Sequence, residues 1–191
     1  MKITDIADAL SAVIKEKSKG RSCFIVAIDG RCASGKTTLA IALSEKLSAT
    51  VLHMDDFYLP ASRRGEAVFS TPAGHMDIDR LFSEVISPLL RGEAARYRPY
   101  RCKTASFGEE REIPPHGTII LEGSYSHHPV LKKHCDLAVL LRIDKSLQSE
   151  RIRRREGECA ERFFELWIPR EEEYFRAFDI EARADLSFDV Q

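Results

Sequence analysis

One run of eight residues constrains the fold more than any other. Gly30-Arg31-Cys32-Ala33-Ser34-Gly35-Lys36-Thr37 fits the pattern G-x-x-x-x-G-K-[ST] at every defined position. Upstream, Cys23-Phe24-Ile25-Val26-Ala27-Ile28 is an unbroken apolar run rich in β-formers, as expected for a strand buried on both faces. Downstream, Leu39, Ala42, Leu43 and Leu47 recur at helical spacing. The order strand, glycine loop, helix is the start of a βα crossover and commits the chain to a parallel sheet. Glycines let the loop turn successive N–H groups inward, and the helix N-terminus adds positive potential at the same point. The loop is therefore an anion nest.

The rest of the chain repeats the alternation. Thr50–Met54 reads as a second strand ending at Asp55-Asp56, Thr118–Leu121 as a third ending at Glu122-Gly123, Asp136–Ile143 as a fourth and Asp185–Phe188 as a fifth. Helices are expected over Ile3–Ile14, where the apolar residues line one face, over Asp79–Leu90 with Pro88 disturbing its last turn, and over Lys145–Arg155, Ala160–Ile168 and Arg170–Phe178. Pro60–Ala73 reads as a polar, substrate-facing loop, and the segment 91–116 as an irregular hairpin flap on the acceptor side. The expectation is a single domain over 1–191, a three-layer α/β/α sandwich.

Composition narrows the function classes. A net charge of −1 gives no general attraction to nucleic acid or to a membrane, and no apolar stretch approaches the ~20 residues that span a bilayer. Neither partner is expected, and homo-oligomerisation stays open. Five cysteines, odd in number and without a C-x-x-C pair, describe reduced thiols in a cytoplasm. His127, His128 and His134 lack a standard metal-ligand frame.

In parallel sheets ligands bind beyond the carboxyl ends of the strands. There Lys36 is placed to reach the β- and γ-phosphates of a nucleoside triphosphate, with Gly30, Ala33, Ser34, Gly35, Thr37 and Thr38 completing the nucleotide loop. ATP and Mg²⁺ are the implied cofactors. Thr37, Glu122 and Asp55 are the candidate Mg²⁺ residues, partly through water, with a solvated loop carboxylate as the alternative for Glu122. Asp55 is the candidate base for an acceptor hydroxyl, or else a turn aspartate, and Asp56 the structural member of the pair. Arg151, Arg154 and Arg155 share a helical face within 146–158; they form either a lid over transferring phosphates or a solvated basic surface. The aromatic series Phe163, Phe164, Trp167, Tyr174, Phe175 and Phe178 is read as core.

Taken together, GRCASGKTT, HMDDFYLP and LEGSYSHHP resemble the uridine kinase branch of the P-loop kinases, over roughly residues 22–189. The resemblance implies sheet order 2-3-1-4-5 and assigns the acceptor-side base to Asp55, the pocket tyrosine to Tyr58, the strand-end acid to Glu122 and the lid arginines to Arg151 and Arg154. Tyr58, His75, Asp77, Tyr100 and Tyr125 form the expected acceptor set. The chain departs from the family at Ala73, which stands where an aspartate grips the ribose hydroxyls; Asp77 or His75 is the expected substitute. The implied activity is phosphoryl transfer from ATP to a hydroxyl of a small metabolite, with a nucleoside as first candidate. The alternatives are a nucleoside monophosphate kinase, with Arg63 and Arg64 on the acceptor phosphate, and an ATPase module without transfer.

Overall fold

The computed structural model describes residues 1–191. Five parallel strands make the central sheet: β1 (Cys23–Gly30), β2 (Thr50–His53), β3 (Gly117–Glu122), β4 (Leu137–Ile143) and β5 (Leu186–Val190). Their order is β2-β3-β1-β4-β5, so the strand leading into the glycine loop lies in the middle. Side chains alternate between two cores. Ile25, Ile119, Leu121 and Leu140 face one layer, while Phe24, Val26, Ile28, Ile120, Val139 and Leu141 face the other. A strand buried on both faces needs apolar residues at nearly every position, which is why these segments read as runs.

The helices α1 (Ile3–Lys17) and α2 (Lys36–Leu47) cover the second core through Ile6, Leu10, Ile14, Leu39 and Leu43. The first core is covered by α3 (78–90), α4 (Pro129–Lys132), α6 (160–177) and α7 (Ile180–Arg183). The remaining helix, α5 (Lys145–Glu156), starts at Asp144, whose carboxylate accepts from Ser146 N at 2.8 Å, and stands beside the glycine loop. No helix is long and apolar enough to cross a membrane.

Pro88 disturbs its helix as expected, and the helix still reaches Leu90. Two sequence expectations need correction, the first being that the two helices expected on either side of Pro169 are one. In both places a π turn immediately precedes the proline-bearing turn: Phe82–Ile86 before Ser87-Pro88, and Phe163–Trp167 before Ile168-Pro169. Proline lacks an N–H and crowds the carbonyl four residues back, and the wider turn absorbs both defects while the helix continues. The polar segment 60–73 is also more structured than a loop. It forms one short turn at Ala61–Arg63 and another at Glu66–Phe69, the second closed by Thr71 Oγ1 donating to Ala67 O at 3.0 Å.

The segment 91–116 forms an interrupted hairpin. Ala95–Tyr97 pairs with Arg111–Ile113 and Tyr100–Arg101 with Ser106–Phe107, both antiparallel. Buried Asp56 holds it to the sheet, accepting from Tyr97 Oη at 3.0 Å and from Arg111 Nη1 at 2.7 Å.

Candidate functional site

Register brings the chemistry together. Ile28 of β1 lies opposite Glu122 of β3, and Glu122 lies opposite His53 of β2, so three strands end in one row. The glycine loop, Glu122 and Asp55 thereby reach the same edge of the sheet. Two glycines make the close approach feasible. At Gly30 (φ 150°) a Cβ would stand 2.4 Å from Leu141 O, and at Gly123 (φ 135°) it would stand 2.7 Å from Met54 Cβ.

On the glycine-loop side, Lys36 is largely buried and donates from Nζ to Gly30 O at 2.7 Å and Arg31 O at 3.0 Å. Thr37 Oγ1 donates to Glu122 Oε2 at 3.1 Å, and His53 Nδ1 lies 2.6 Å from Glu122 Oε1. That contact raises the His53 pKa above its ordinary value. A hydroxyl and a carboxylate at this spacing are hard oxygen donors of the kind Mg²⁺ takes beside phosphate oxygens, so the residues fit the ion. A cavity of about 620 Å³ opens over the loop, lined by Ala33, Gly35, Lys36, Thr37 and Thr38 from below and by Arg151, Arg154 and Arg155 from above. Arg151 Nη1 donates to Ala33 O at 3.3 Å and Arg155 Nη2 to Cys32 Sγ at 3.2 Å, tying α5 to the loop. Ile3 also lines the cavity, a contact that periodicity on α1 assigned only to the core. Ser34 is fully buried beneath the loop, with its Oγ unpartnered.

The back of the loop is held by residues that sequence reasoning missed. Glu171, 4% exposed, accepts from Cys32 N at 2.9 Å and from Ser124 Oγ at 2.6 Å, and burial pushes its carboxyl above the usual range. Arg31 pairs with Glu172 at 2.5 Å and Glu181 at 2.8 Å while stacking over Phe175. Glu171 opens a run of three acids, Glu171-Glu172-Glu173, on this helix. The available signal was that Glu171 shares a face with core residues Tyr174 and Phe175 by i, i+3, i+4 spacing.

On the other side of the sheet edge, Asp55 is exposed just past the end of β2, and crowding by protein, then the Glu122 charge, raise its pKa. Leu59 N donates to His75 O at 2.9 Å and Asp77 N to Phe57 O at 2.7 Å, a short antiparallel pairing that lays His75 against Tyr58. The rings of Tyr58 and His75 stack at 5.7 Å; Tyr125 meets His75 edge-on at 4.8 Å, and Trp167 approaches it at 5.5 Å. Burial and then the charges of Arg170 and Arg64 pull His75 down to about 4, which keeps it neutral near pH 7. Burial likewise raises Tyr58 and Tyr125, so both keep their protons.

Two expected acceptor residues lie elsewhere in the network. Asp77 caps α3, accepting from Arg80 N at 3.3 Å, and pairs with Arg63 at 3.2 Å; its carboxylate is committed. The Tyr100 hydroxyl accepts from Ala61 N at 3.1 Å and its ring packs on Phe107, so it fastens the flap. Ala73 is buried at φ 60° within the core. Tyr174, Phe175 and Phe178 do pack in or against the core as expected, but Trp167 leaves it for the His75 ring. His127 N donates to buried Asp29 at 2.8 Å, whereas the His128 ring caps α4.

No protein-family profile matches this chain, and no curated protein matches it in sequence. Solved structures do. A possible uridine kinase from Bacillus stearothermophilus superposes with a TM-score of 0.74 at 22% identity, covering 99% of this chain and 100% of that one. A candidate fructose transport system kinase from Silicibacter sp. TM1040 gives 0.67 at 24% identity, covering 98% and 99%. D-glycerate 3-kinase from Cryptococcus neoformans var. grubii gives 0.61 at 17% identity, covering 98% and 93%. The chain has the P-loop kinase fold across its whole length.

Proposed function

We propose that this protein is a kinase that transfers the γ-phosphoryl group of ATP, with Mg²⁺, to a hydroxyl of a small metabolite. The observation that carries this reading is the division of one sheet edge: Lys36, Thr37 and Glu122 on the phosphate side, and Asp55 alone facing the aromatic wall of Tyr58, His75 and Tyr125. Asp55 takes the proton of the acceptor hydroxyl as that oxygen bonds to the γ-phosphorus and the bond to the β-bridging oxygen breaks, leaving ADP. A carboxylate with a raised pKa is a better proton acceptor than an ordinary one. Thr37 and Glu122 would hold the Mg²⁺, which supplies charge neutralisation on the phosphate oxygens. Lys36 and the α5 arginines add positive charge where negative charge grows.

The acceptor is less restricted than the resemblance implies. A nucleoside kinase needs a charged handle for the ribose pair, but Ala73 has none and Asp77 is committed. The monophosphate kinase alternative loses support as well, because Arg63 pairs with Asp77 and Arg64 Nε donates to Leu59 O at 2.6 Å. The three similar structures are themselves described with different acceptors. The test is acceptor-dependent ADP release across nucleosides, nucleotides, sugars and hydroxy acids. With no charged ribose contact, uridine should bind roughly 10- to 100-fold more weakly than a nucleoside held by one. ATP hydrolysis unaffected by every acceptor would favour an ATPase module instead.

A further inference from the structure

Two polar groups beside the aromatic wall have neither a hydrogen bond nor an ion pair. His75 is 2% exposed, and its Nε2 is buried without a hydrogen bond; Arg170 Nη1 is buried and unpaired as well. Buried polar atoms are almost always satisfied, so a pair of orphans in one place requires an account. They belong to one cage. The Arg170 guanidinium lies 4.1 Å over Phe69 and 5.8 Å from Trp167, Trp167 lies 5.5 Å from His75, and His75 touches Tyr58 and Tyr125. Tyr58 follows Asp55 by three residues just past the end of β2, which joins the cage to the candidate base.

Every other cation near this wall is spoken for. Arg63 pairs with Asp77, and Arg80 with Asp77 and Glu84; Arg64 donates to Leu59 O and Cys102 Sγ. Arg170 has no acidic partner, although it follows the π turn that swings Trp167 toward His75. An unpaired guanidinium in aromatic surroundings is a receptor for a planar anion. Neutral His75 adds a single hydrogen-bonding nitrogen for a hydroxyl. One free cation balances one negative charge, and Asp55 and Glu171 already crowd the site with carboxylates. A monoanion therefore fits better than a phosphate dianion.

We infer that the acceptor is a small hydroxycarboxylate, its carboxylate paired with Arg170 and one of its hydroxyls bonded to His75 Nε2, with a second hydroxyl presented to Asp55. This inference rests on the kinase reading above. Trp167, the single tryptophan of the chain, forms part of the cage and reports its occupancy without any turnover.

The experiment pairs Trp167 fluorescence titrations with initial rates of ADP release, using glycerate and gluconate, their neutral polyols glycerol and glucitol, the phosphate esters glycerol 3-phosphate and gluconate 6-phosphate, and uridine. The expected result is at least about a 10-fold preference for a carboxylate over its matched polyol, lost in Arg170→Gln and partly restored in Arg170→Lys, with ADP affinity unchanged as the control for folding. His75→Phe, which keeps the ring stacking, should raise KM more than it lowers kcat. A polyol, a phosphate ester or uridine preferred over every carboxylate overturns the inference while leaving the kinase reading intact. Carboxylate binding at Trp167 without ADP release has the opposite effect: it keeps the anion cage and removes the kinase. Equal titrations of carboxylate and polyol, or an Arg170→Gln variant with unchanged preference, also overturn it.

Discussion

The two sides of this cleft are built by different means. The phosphate side is largely main chain: one contiguous loop whose N–H groups, glycines and following helix come as a unit, with Lys36 donating to the loop's own carbonyls. The acceptor side is side chain: Asp55, Tyr58, His75, Tyr125, Trp167 and Arg170 arrive from four separate stretches of sequence. Its hydrogen bonding is incomplete, with His75 Nε2 and Arg170 Nη1 both orphaned. A backbone cradle specifies the phosphate common to every nucleoside triphosphate. A wall of side chains can change acceptor without disturbing the fold, which is where specificity in such a molecule resides.

The sharpest way to break this comparison is at Asp55, where the two sides meet. Asp55→Asn should lower kcat by roughly 100- to 10,000-fold with ATP affinity nearly unchanged, measured by steady-state kinetics and nucleotide titration. Because the Asp55 pKa is raised, the acid limb of kcat/KM in the native protein should lie above the ordinary carboxylate range, activity falling as pH falls through it. Loss of ATP binding with kcat retained would move Asp55 to the phosphate side.

Lys36→Ala attacks the phosphate side alone. Turnover should drop roughly 100- to 1000-fold, as for loss of one charge-stabilising donor, while unfolding in urea shifts by only about 1 kcal/mol for the lost contacts to Gly30 O and Arg31 O. Full activity at saturating ATP would remove the kinase reading altogether.

His75 tests the acceptor side through stability. Its pKa is about 4 in the folded protein against 6.5 in the unfolded chain, so the unfolded state binds the extra proton between these values. Stability contributed by the neutral ring is complete above pH 6.5 and is lost as pH falls toward 4, by up to about 3 kcal/mol. Denaturant unfolding from pH 7 to pH 4.5 should show this slope, and His75→Phe should flatten it. An unchanged slope would mean that the ring reaches solvent.

Asp56→Asn separates neighbouring aspartates. It should cost about 1.5–3 kcal/mol of stability through the lost charge at Tyr97 and Arg111, with a smaller effect on kcat than Asp55→Asn. The smallest effect belongs to α5. Arg151→Ala or Arg154→Ala should reduce turnover about 10-fold with little change in ATP binding, and amide exchange across 146–158 should slow with ATP and acceptor more than with ADP. Exchange there unaltered by any ligand would make these arginines a solvated surface.

What the sequence determined by itself is the part of the molecule in which cause and effect are neighbours along the chain. Apolar runs became strands because a sheet buried on both faces allows little else, and Gly30 to Thr37 became a phosphate-type loop because strand, glycines and helix are contiguous. The pairing of Thr37 with Glu122 followed from strand ends that the alternation of elements brings to one edge. Only the tertiary structure decided where proline would be absorbed by a π turn, since that choice depends on whether packing rewards continuing the helix. It also decided which polar residues would be consumed internally. Asp77 spends its carboxylate on a helix cap and Arg63, Tyr100 spends its hydroxyl on Ala61, and Glu171 leaves a run of three acids to hold the loop at Cys32. Residue type tells what a side chain can bond to; only distances of a few ångströms between parts of the chain far apart in sequence tell what it does bond to, and which atoms, His75 Nε2 and Arg170 Nη1 among them, stay unbonded.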